Sequence, residues 1–403
     1  MPITLDDIRA ARDRIAGAIY VSPCPESPAL SELTGARVFC KLDALQRTGS
    51  FKERGARNAL LLLSPEQRQR GVIAASAGNH ALALACHGLE LGIPVTVVMP
   101  RFAPLIKVAT CRRFGANVVL HGDNFAEAKA KADELAARGR LTYIHGFDDP
   151  AVIAGQGTIG LELLEQVPQL EAVIVPVGGG GLIAGVSLAI KSLRPQVQVV
   201  GVEAEVMPSL TQALAAGKVV TCPARPTLAD GLATTRLGDN AFAILRDRLD
   251  RALTVSEELI ALSILRLIEL EKSVIEGAGA APLAALLSGQ LPELKGKTVV
   301  LLLCGGNIDP LILGRVIDVG LAADGRLARL FATISDRPGG LANLASIIAE
   351  TGASIQQITH DRVFSGPDVS SVHVVCDVET HDREHFEELV KALAGRGISV
   401  RQS

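Results

Sequence analysis

The apolar residues of this chain come in short continuous runs, which amphipathic stretches of helical period separate from one another. The runs cover residues 72–75, 95–98, 117–120, 172–177, 197–202 and 298–303. A strand that is apolar at every position is buried on both faces, and strands that alternate with helices form parallel sheets. The pattern therefore predicts an α/β fold in which helices cover both faces of a parallel sheet.

The pattern changes near Ala323, and the last part of the chain alternates differently. Its predicted order is strand, helix, strand, strand, helix, strand, over residues 327–334, 341–350, 354–362, 369–378, 383–394 and 398–401. This order is that of the ferredoxin-like α+β fold. We therefore expect two domains, residues 1–323 and residues 324–403.

The N-terminus predicts a helix and not a targeting sequence. Thr4 followed by Asp7 has the spacing of a helix cap with an acidic partner, and the amphipathic pattern that follows extends to about Gly17. The first residues lack the basic region and the apolar core of a signal peptide.

Composition narrows the classes of function. A net charge of −3 gives no basic balance for nucleic acid, and 48% hydrophobic residues are typical of a globular protein. No apolar run approaches the roughly 18 residues of a membrane-spanning helix. Seven cysteines without a Cys-x-x-Cys pair indicate a reducing compartment. We expect a cytoplasmic protein with no nucleic-acid partner and no membrane segment.

Lys52 is the first candidate for chemistry. It follows the turn Thr48-Gly49-Ser50 and precedes the apolar run 56–63, which predicts a loop that leads into a helix. A cation in the first turn opposes the helix macrodipole, so its pKa is lowered and the neutral amine is favoured. A neutral lysine amine is a nucleophile that forms Schiff bases. The alternative is an ordinary solvated lysine on an amphipathic helix.

A run of four glycines follows one of the predicted strands. In Gly178-Gly179-Gly180-Gly181 the backbone amides can converge on a phosphate at the start of the next helix. The same stretch also satisfies a dinucleotide fingerprint, Gly179-x-Gly181-x-x-Ala184, with Glu203 at the end of the next strand. An NAD-binding oxidoreductase is therefore the distant alternative.

Four motifs in this order carry a resemblance that covers nearly the whole chain. They are the Lys52 loop, Ser76-Ala77-Gly78-Asn79-His80, the four glycines and Cys304-Gly305-Gly306-Asn307. Together they resemble the fold-type-II pyridoxal-phosphate enzymes, and within them the threonine/serine dehydratases. The resemblance implies two parallel-sheet subdomains, the smaller over about 44–147 and inserted into the larger. Pyridoxal 5'-phosphate would lie in the crevice between them.

The resemblance also implies roles for individual residues. It places the cofactor against Phe51, Lys52, Asn79, Gly178, Gly179, Gly180, Gly181, Glu276 and Cys304, and the substrate against Ser76, Ala77, Gly78, Asn79 and His80. Lys52 would be the catalytic residue that holds the cofactor and takes the α-proton. The alternatives from the residues alone are a helix N-cap for Asn79, a structural histidine at 80, a buried structural cysteine at 304 and a helix cap for Glu276.

The reaction implied is the dehydration and deamination of L-threonine to 2-oxobutyrate and ammonia, and of L-serine to pyruvate. Other 3-hydroxy amino acids, a β-replacement enzyme such as a cysteine synthase, and a catalytically silent amino-acid sensor are the alternatives. The resemblance implies a serine at the position of residue 77 in the related serine racemases. Here the residue is Ala77, so racemisation is expected to be poor. Ser209 likewise stands where a cation-binding aspartate is expected beside Glu203. The sequence does not distinguish isoleucine biosynthesis from catabolism.

The turn Ser335-Asp336-Arg337-Pro338-Gly339-Gly340-Leu341 resembles the signature of ACT domains. The resemblance implies an amino-acid effector, isoleucine as the family's example, at Asp336, Gly339, Gly340 and Leu341. It also implies allosteric control and a homodimer or homotetramer, because such domains pair side by side. The alternatives are an ordinary βα turn and a domain that only holds the oligomer together.

No metal site is predicted. His381 and His385 lie four residues apart on a predicted helix, a spacing that suits a metal pair. The segment is charged and offers no third ligand, so a solvated helix face is expected instead.

Overall fold

The computed structural model describes residues 3–361 and 370–402 and divides the chain into two compact units. The division falls between Leu313 and Gly314, within the helix Pro310–Ala323, and so lies earlier than the expected boundary after Ala323. None of the described helices is long and apolar enough to cross a membrane.

The first unit contains two parallel sheets. Its strands are β1 Arg37–Lys41, β2 Val72–Ala75, β3 Val95–Met99, β4 Asn117–Leu120, β5 Thr142–Tyr143, β6 Ala172–Pro176, β7 Gln198–Ala204, β8 Arg251–Val255 and β9 Thr298–Leu302. The larger sheet has the order β1-β9-β6-β7-β8, and the smaller has the order β4-β3-β2-β5. Every pairing within these two sheets is parallel. The α/β prediction is confirmed. β1 ends where Cys40-Lys41-Leu42 predicts the end of a short strand, whereas β5 and β8 were not predicted.

Helices cover both sheets. They are α1 Leu5–Ile15, α2 Pro28–Thr34, α3 Lys52–Leu61, α4 Pro65–Arg70, α5 Asn79–Leu91, α6 Leu105–Arg113, α7 Phe125–Gly139, α8 Pro150–Gln166, α9 Gly181–Leu193, α10 Ser209–Ala216, α11 Asp239–Leu245, α12 Glu257–Glu271 and α13 Gly277–Leu287. The next helix, α14 Pro310–Ala323, contains the division between the two units. The predicted cap of α1 is present, because Thr4 and Asp7 form a capping box.

Each sheet packs its own aliphatic core, and the strands of the smaller sheet lie between β1 and β6 in the chain. A subdomain inserted into a larger one has this arrangement. The rest of the chain supplies the strands of the larger sheet, before and after the insertion.

A buried cluster of charges fixes α3, the helix that begins with Lys52. The guanidinium of Arg54 lies 2.8 Å from Asp43 and 2.5 Å from Glu162 of α8. Lys41 lies 2.5 Å from the other oxygen of Glu162. Buried charges are tolerated only when they are paired and hydrogen-bonded, so this cluster specifies how α3 docks on α8.

The second unit is a ferredoxin-like α+β fold. It contains β10 Leu327–Ser335, α15 Gly340–Glu350, β11 Ser354–Asp361, β12 Ser371–Glu379, α16 Arg383–Gly395 and β13 Ser399–Gln402. The sheet order is β11-β12-β10-β13, and all three pairings are antiparallel. The helices and the sheet enclose one aliphatic core. The predicted strand ends at Arg362 and Val369 lie outside the described residues.

His385 of α16 and His381, which precedes this helix, have structural roles. The ring of His385 is buried; its Nδ1 accepts the backbone N–H of His381, and its Nε2 lies 2.7 Å from the carbonyl of Thr351. The prediction of a solvated face was therefore wrong for His385. Both of its ring nitrogens are engaged by backbone groups.

Candidate active site

A cavity of about 230 Å³ lies at the carboxyl ends of β2, β6 and β9. In parallel α/β sheets this is the edge at which ligands bind. Its wall contains every residue that the sequence assigned to catalysis, cofactor or substrate: Phe51, Lys52, Ser76, Ala77, Gly78, Asn79, His80, Gly178, Gly179, Gly180, Gly181, Glu276 and Cys304. The structure thus brings together residues from five separate segments of the chain.

The loop before Lys52 is held by the segment that follows β9. Ser50 and Gly305 form an isolated antiparallel bridge. On either side of it, the N–H of Phe51 donates to the carbonyl of Cys304 at 3.0 Å, and the N–H of Gly306 donates to that of Gly49 at 3.0 Å. The position of Lys52 is therefore set by the segment that follows strand β9 of the larger sheet.

The amine of Lys52 donates to the carbonyl of Gly146 at 2.6 Å. Burial lowers the pKa of Lys52 to about 8, and the nearby Cys304 and Glu276 oppose this shift. The expected direction is present, and desolvation is its largest cause. A lysine with this pKa has a substantial neutral fraction near pH 8 and can act as a nucleophile or a base.

The four glycines form an anion cradle at the start of α9. Within the described part of the chain, the amides of residues 178–181 donate to no protein acceptor. Gly180 has φ +88°, and a Cβ on Gly181 would collide with the carbonyl oxygen of Phe147. Only glycine fits here, and the exposed amides at a helix N-terminus favour a phosphate.

A second helix N-terminus faces the same cavity. Helix α5 begins at Asn79, and its N-cap is Gly78, which provides no side-chain cap. Interpreting Asn79 as the N-cap was therefore wrong. Its side chain instead donates from Nδ2 to Oε1 of Glu276 at 2.8 Å. The N–H of Gly78 donates to the hydroxyl of Ser76 at 3.3 Å, but the N–H groups of Ala77, Asn79 and His80 meet no acceptor among the described residues. These three amides suit a carboxylate, so the cavity offers places for two anions.

Two wall residues are kept uncharged. Burial lowers the pKa of His80 to about 3, and its Nε2 lies 3.1 Å from the carbonyl of Ile144. Burial likewise raises the pKa of Cys304 well above its ordinary value. His80 is thus a neutral ring anchored to the backbone, and Cys304 presents a neutral thiol.

Glu276 is the titratable acid of the cavity. Burial, and after it the charge of Asp230, raises the pKa of Glu276 to about 7, while Lys107 and Asn79 oppose the shift. Near neutral pH this carboxyl therefore exists in both protonation states. A group of this kind can hold or release a proton beside a bound ligand.

The sequence did not single out residues 145–149, of which His145, Gly146 and Phe147 line the cavity beside Lys52. Gly146 receives the lysine amine, and the ring of Phe147 fills the space that a Cβ on Gly179 would need. Asp148 caps α11 by accepting the N–H of Asp239 at 2.9 Å. Asp149 before Pro150 is a helix-start signal, but no local signal places this segment against Lys52.

Glu203, which the dinucleotide interpretation needs for a ribose, is committed elsewhere. Its carboxylate is buried and accepts the N–H of Leu210 at 2.6 Å and of Thr211 at 2.9 Å, at the start of α10. Ser209 donates to the same carboxylate at 3.2 Å. The described residues contain no cluster of potential metal ligands.

Comparisons with known proteins agree with this site. The sequence profile of the family described as "Pyridoxal-phosphate dependent enzyme" matches residues 15–305. An L-threonine ammonia-lyase of Thermotoga maritima is 44% identical over 399 residues, which is 99% of both chains. Another, of Geobacter sulfurreducens, is 44% identical over 400 residues, again 99% of both chains.

Solved structures give the same result. The processed form of threonine deaminase isoform 2 from Solanum lycopersicum is 36% identical with a TM-score of 0.74, and the match covers 79% of this chain and 90% of that one. A maize serine racemase is 34% identical with a TM-score of 0.75, covering 78% of this chain and 97% of that one. With the profile matching most of its length and relatives matching nearly all of it, this chain belongs to the pyridoxal-phosphate dependent enzymes of fold type II.

Proposed function

We propose that this protein is a threonine ammonia-lyase, which converts L-threonine to 2-oxobutyrate and ammonia and also converts L-serine to pyruvate. The proton of Cα and the hydroxyl of Cβ leave, which together make one water. A second water then hydrolyses the resulting enamine and releases ammonia. The observation that carries the proposal is one cavity that joins the Lys52 amine to two free helix N-termini. The relatives' names supply the substrate.

The residues present fit pyridoxal phosphate. The glycine cradle at α9 suits its phosphate, and the lysine amine, with its pKa lowered to about 8, suits its aldehyde. Asn79 and Glu276 would face the polar edge of the ring, and the neutral thiol of Cys304 would meet its pyridine nitrogen. When bound, the cofactor supplies the electron sink that makes the Cα proton of an amino acid acidic.

The chain's own residues would divide the remaining work. The N-terminal turn of α5 orients the substrate carboxylate, which fixes the Cα–H bond relative to Lys52. The neutral amine of Lys52 takes the Cα proton. Ala77 carries no exchangeable proton, so no side chain at this position can return a proton to the opposite face. Elimination is therefore expected to prevail over racemisation.

An absorption spectrum followed by chemical trapping tests the assignment. The purified protein should absorb near the wavelength of a lysine-bound cofactor, and borohydride reduction with peptide mapping should place the cofactor on Lys52. An assay for oxo acids with L-threonine, L-serine and other 3-hydroxy amino acids then ranks the substrates. A cofactor attached elsewhere, bound NAD, or sulfide-dependent β-replacement faster than oxo-acid release would contradict the proposal.

We also propose that the second unit is an ACT domain, and that a free amino acid binds at Asp336, Gly339, Gly340 and Leu341. Its support is the fold and the turn from β10 into α15, where Gly339 has φ +94°. A homo-oligomer in the cytoplasm is part of this proposal. Coupling between the effector and the substrate should be on the order of 1–3 kcal/mol and reciprocal.

Kinetics and thermal melting with each proteinogenic amino acid test the regulatory proposal. A real effector changes the activity and also raises the melting temperature. A chain that ends at Ala323 should lose this response. If no amino acid changes either property of the full-length enzyme, the second unit has no such site.

A further inference from the structure

Asn307 lies outside the wall of the main cavity, yet its amide contacts a residue within that wall. Its Nδ2 donates to the carbonyl of Thr48 at 2.6 Å and lies 2.9 Å from Oδ1 of Asn79. A backbone carbonyl can only accept a hydrogen bond. The atom of Asn307 that faces Thr48 must therefore be its nitrogen, and this assigns the orientation of the amide.

The orientation of Asn79 follows from that of Asn307. Because the Asn307 nitrogen can only donate, Asn79 must turn its oxygen toward it. The nitrogen of Asn79 then faces Oε1 of Glu276 at 2.8 Å. A reversed Asn79 would place two NH₂ groups against each other, so the direction holds whether or not Glu276 carries a proton.

The side chains of Asn307, Asn79 and Glu276 have little room to rearrange. A Cβ on Gly49 would collide with Oδ1 of Asn307. A Cβ on Gly305 would collide with Oε1 of Glu276 and would lie 3.4 Å from Nδ2 of Asn79. Both glycines are needed for this close packing, which holds the amides in one arrangement.

One hydrogen of the Asn79 NH₂ group remains for a ligand. The first is used by Glu276, and the second meets no acceptor among the described residues. We propose that Asn307 is a positioning residue that keeps this N–H directed into the cavity, toward the polar edge of the ring of bound pyridoxal phosphate. The inference rests on the proposed function, and it assigns Asn307 an effect on the cofactor that is exerted through Asn79.

Two substitutions of Asn307 separate orientation from packing. Asn307→Asp keeps the size but replaces the donor by an oxygen, which turns the Asn79 amide around and puts its oxygen toward the cofactor. Asn307→Ala removes the donor, so the side-chain amide of Asn79 can adopt either orientation. Orientation therefore predicts a larger effect for Asp than for Ala, whereas packing predicts the reverse.

The readouts are the affinity of the cofactor-free protein for pyridoxal phosphate and the absorption band of the lysine-bound cofactor. At pH 8, Asn307→Ala should weaken cofactor binding about threefold and Asn307→Asp more than tenfold, with a shifted band. Thr110→Ala is the control, since Thr110 shares a neighbouring cavity with Asn307 but does not contact Asn79. If the Asp variant does not fold, Asn307→Gln should bind the cofactor more tightly than Asn307→Glu.

The outcomes distinguish this inference from the proposed function. If the unsubstituted protein binds no pyridoxal phosphate, the proposed function fails and the inference with it. If that protein binds the cofactor normally, two results overturn the inference alone. One is an Ala variant weaker than the Asp variant, and the other is an unchanged affinity and absorption band in both.

Discussion

The amine of Lys107 on α6 lies 3.1 Å from the carboxylate of Asp230, which follows β7 in the chain and lines the active-site cavity. The side chain of Lys107 is 9% exposed and that of Asp230 is 61% exposed. The pair joins the smaller sheet's subdomain to the larger one at the wall of the cavity. It also neutralises an anion that a substrate carboxylate would otherwise meet.

Replacing Lys107 by Met should raise the KM for L-threonine roughly two- to fivefold, because Asp230 is then uncompensated and partly screened by water. The kcat should change less. The double variant with Asp230→Asn should return the KM toward its original value, since both charges are gone. Lys131→Met, which breaks an exposed pair with Glu134, is the control. A KM that stays high in the double variant would mean that Lys107 acts by packing.

The lowered pKa of Lys52 predicts how the cofactor-free protein captures pyridoxal phosphate. Only the neutral amine reacts, and its pKa of about 8 lies below the ordinary value of 10.5. The capture rate should therefore rise about tenfold per pH unit below pH 8 and level off above it. Stopped-flow absorbance measures this profile, and Lys52→Arg should abolish capture. A rate that still climbs tenfold per unit up to pH 10 would show that the cavity does not lower the pKa.

Glu276 predicts a pH-dependent stability of the cofactor-free protein. Its folded-state pKa of about 7 exceeds the ordinary 4.5, so the stabilisation is complete below about pH 4.5 and is lost as the pH rises through 7. The loss is on the order of 3 kcal/mol. Glu276→Gln stays neutral, so its melting temperature relative to the unsubstituted protein should rise between pH 5 and pH 8. Glu205→Gln, at an exposed position, is the control. If the melting-temperature difference between Glu276→Gln and the unsubstituted protein does not change with pH, the raised pKa of Glu276 is refuted.

The fold was predictable wherever a strand is apolar throughout. The strands at Val72–Ala75 and Val95–Met99 lie where the sequence placed them. The missed strand Arg251–Val255 begins with an exposed arginine and is half-buried in part, because it is the edge of its sheet. Arg251 and Thr254 interrupt the continuous apolar run on which the prediction depends.

The residues that line the candidate site could be predicted from the sequence, but the contacts between them could not. The motifs identified Lys52 and Asn79 because each follows a turn at the start of a helix. The link from Asn307 through Asn79 to Glu276, and the hydrogen bond from Lys52 to Gly146, join segments far apart in the chain. No local pattern encodes such contacts, because they depend on how the two sheets are packed.

The side chain at position 77 predicts the stereochemical outcome with L-serine. Ala77 lines the cavity in the turn before α5, where it has no proton to donate. General acid catalysis contributes about 10²- to 10⁴-fold, so D-serine should form at no more than about one hundredth of the rate of pyruvate. Ala77→Ser supplies a hydroxyl and should increase the yield of D-serine, whereas Ala77→Gly should not. Chiral chromatography measures the D-serine that each variant forms. When the reaction is run in D₂O, L-serine that has exchanged its Cα proton through Lys52 carries deuterium at Cα without inversion. D-serine formed by the unsubstituted enzyme as fast as pyruvate would show that a group other than residue 77 reaches the opposite face.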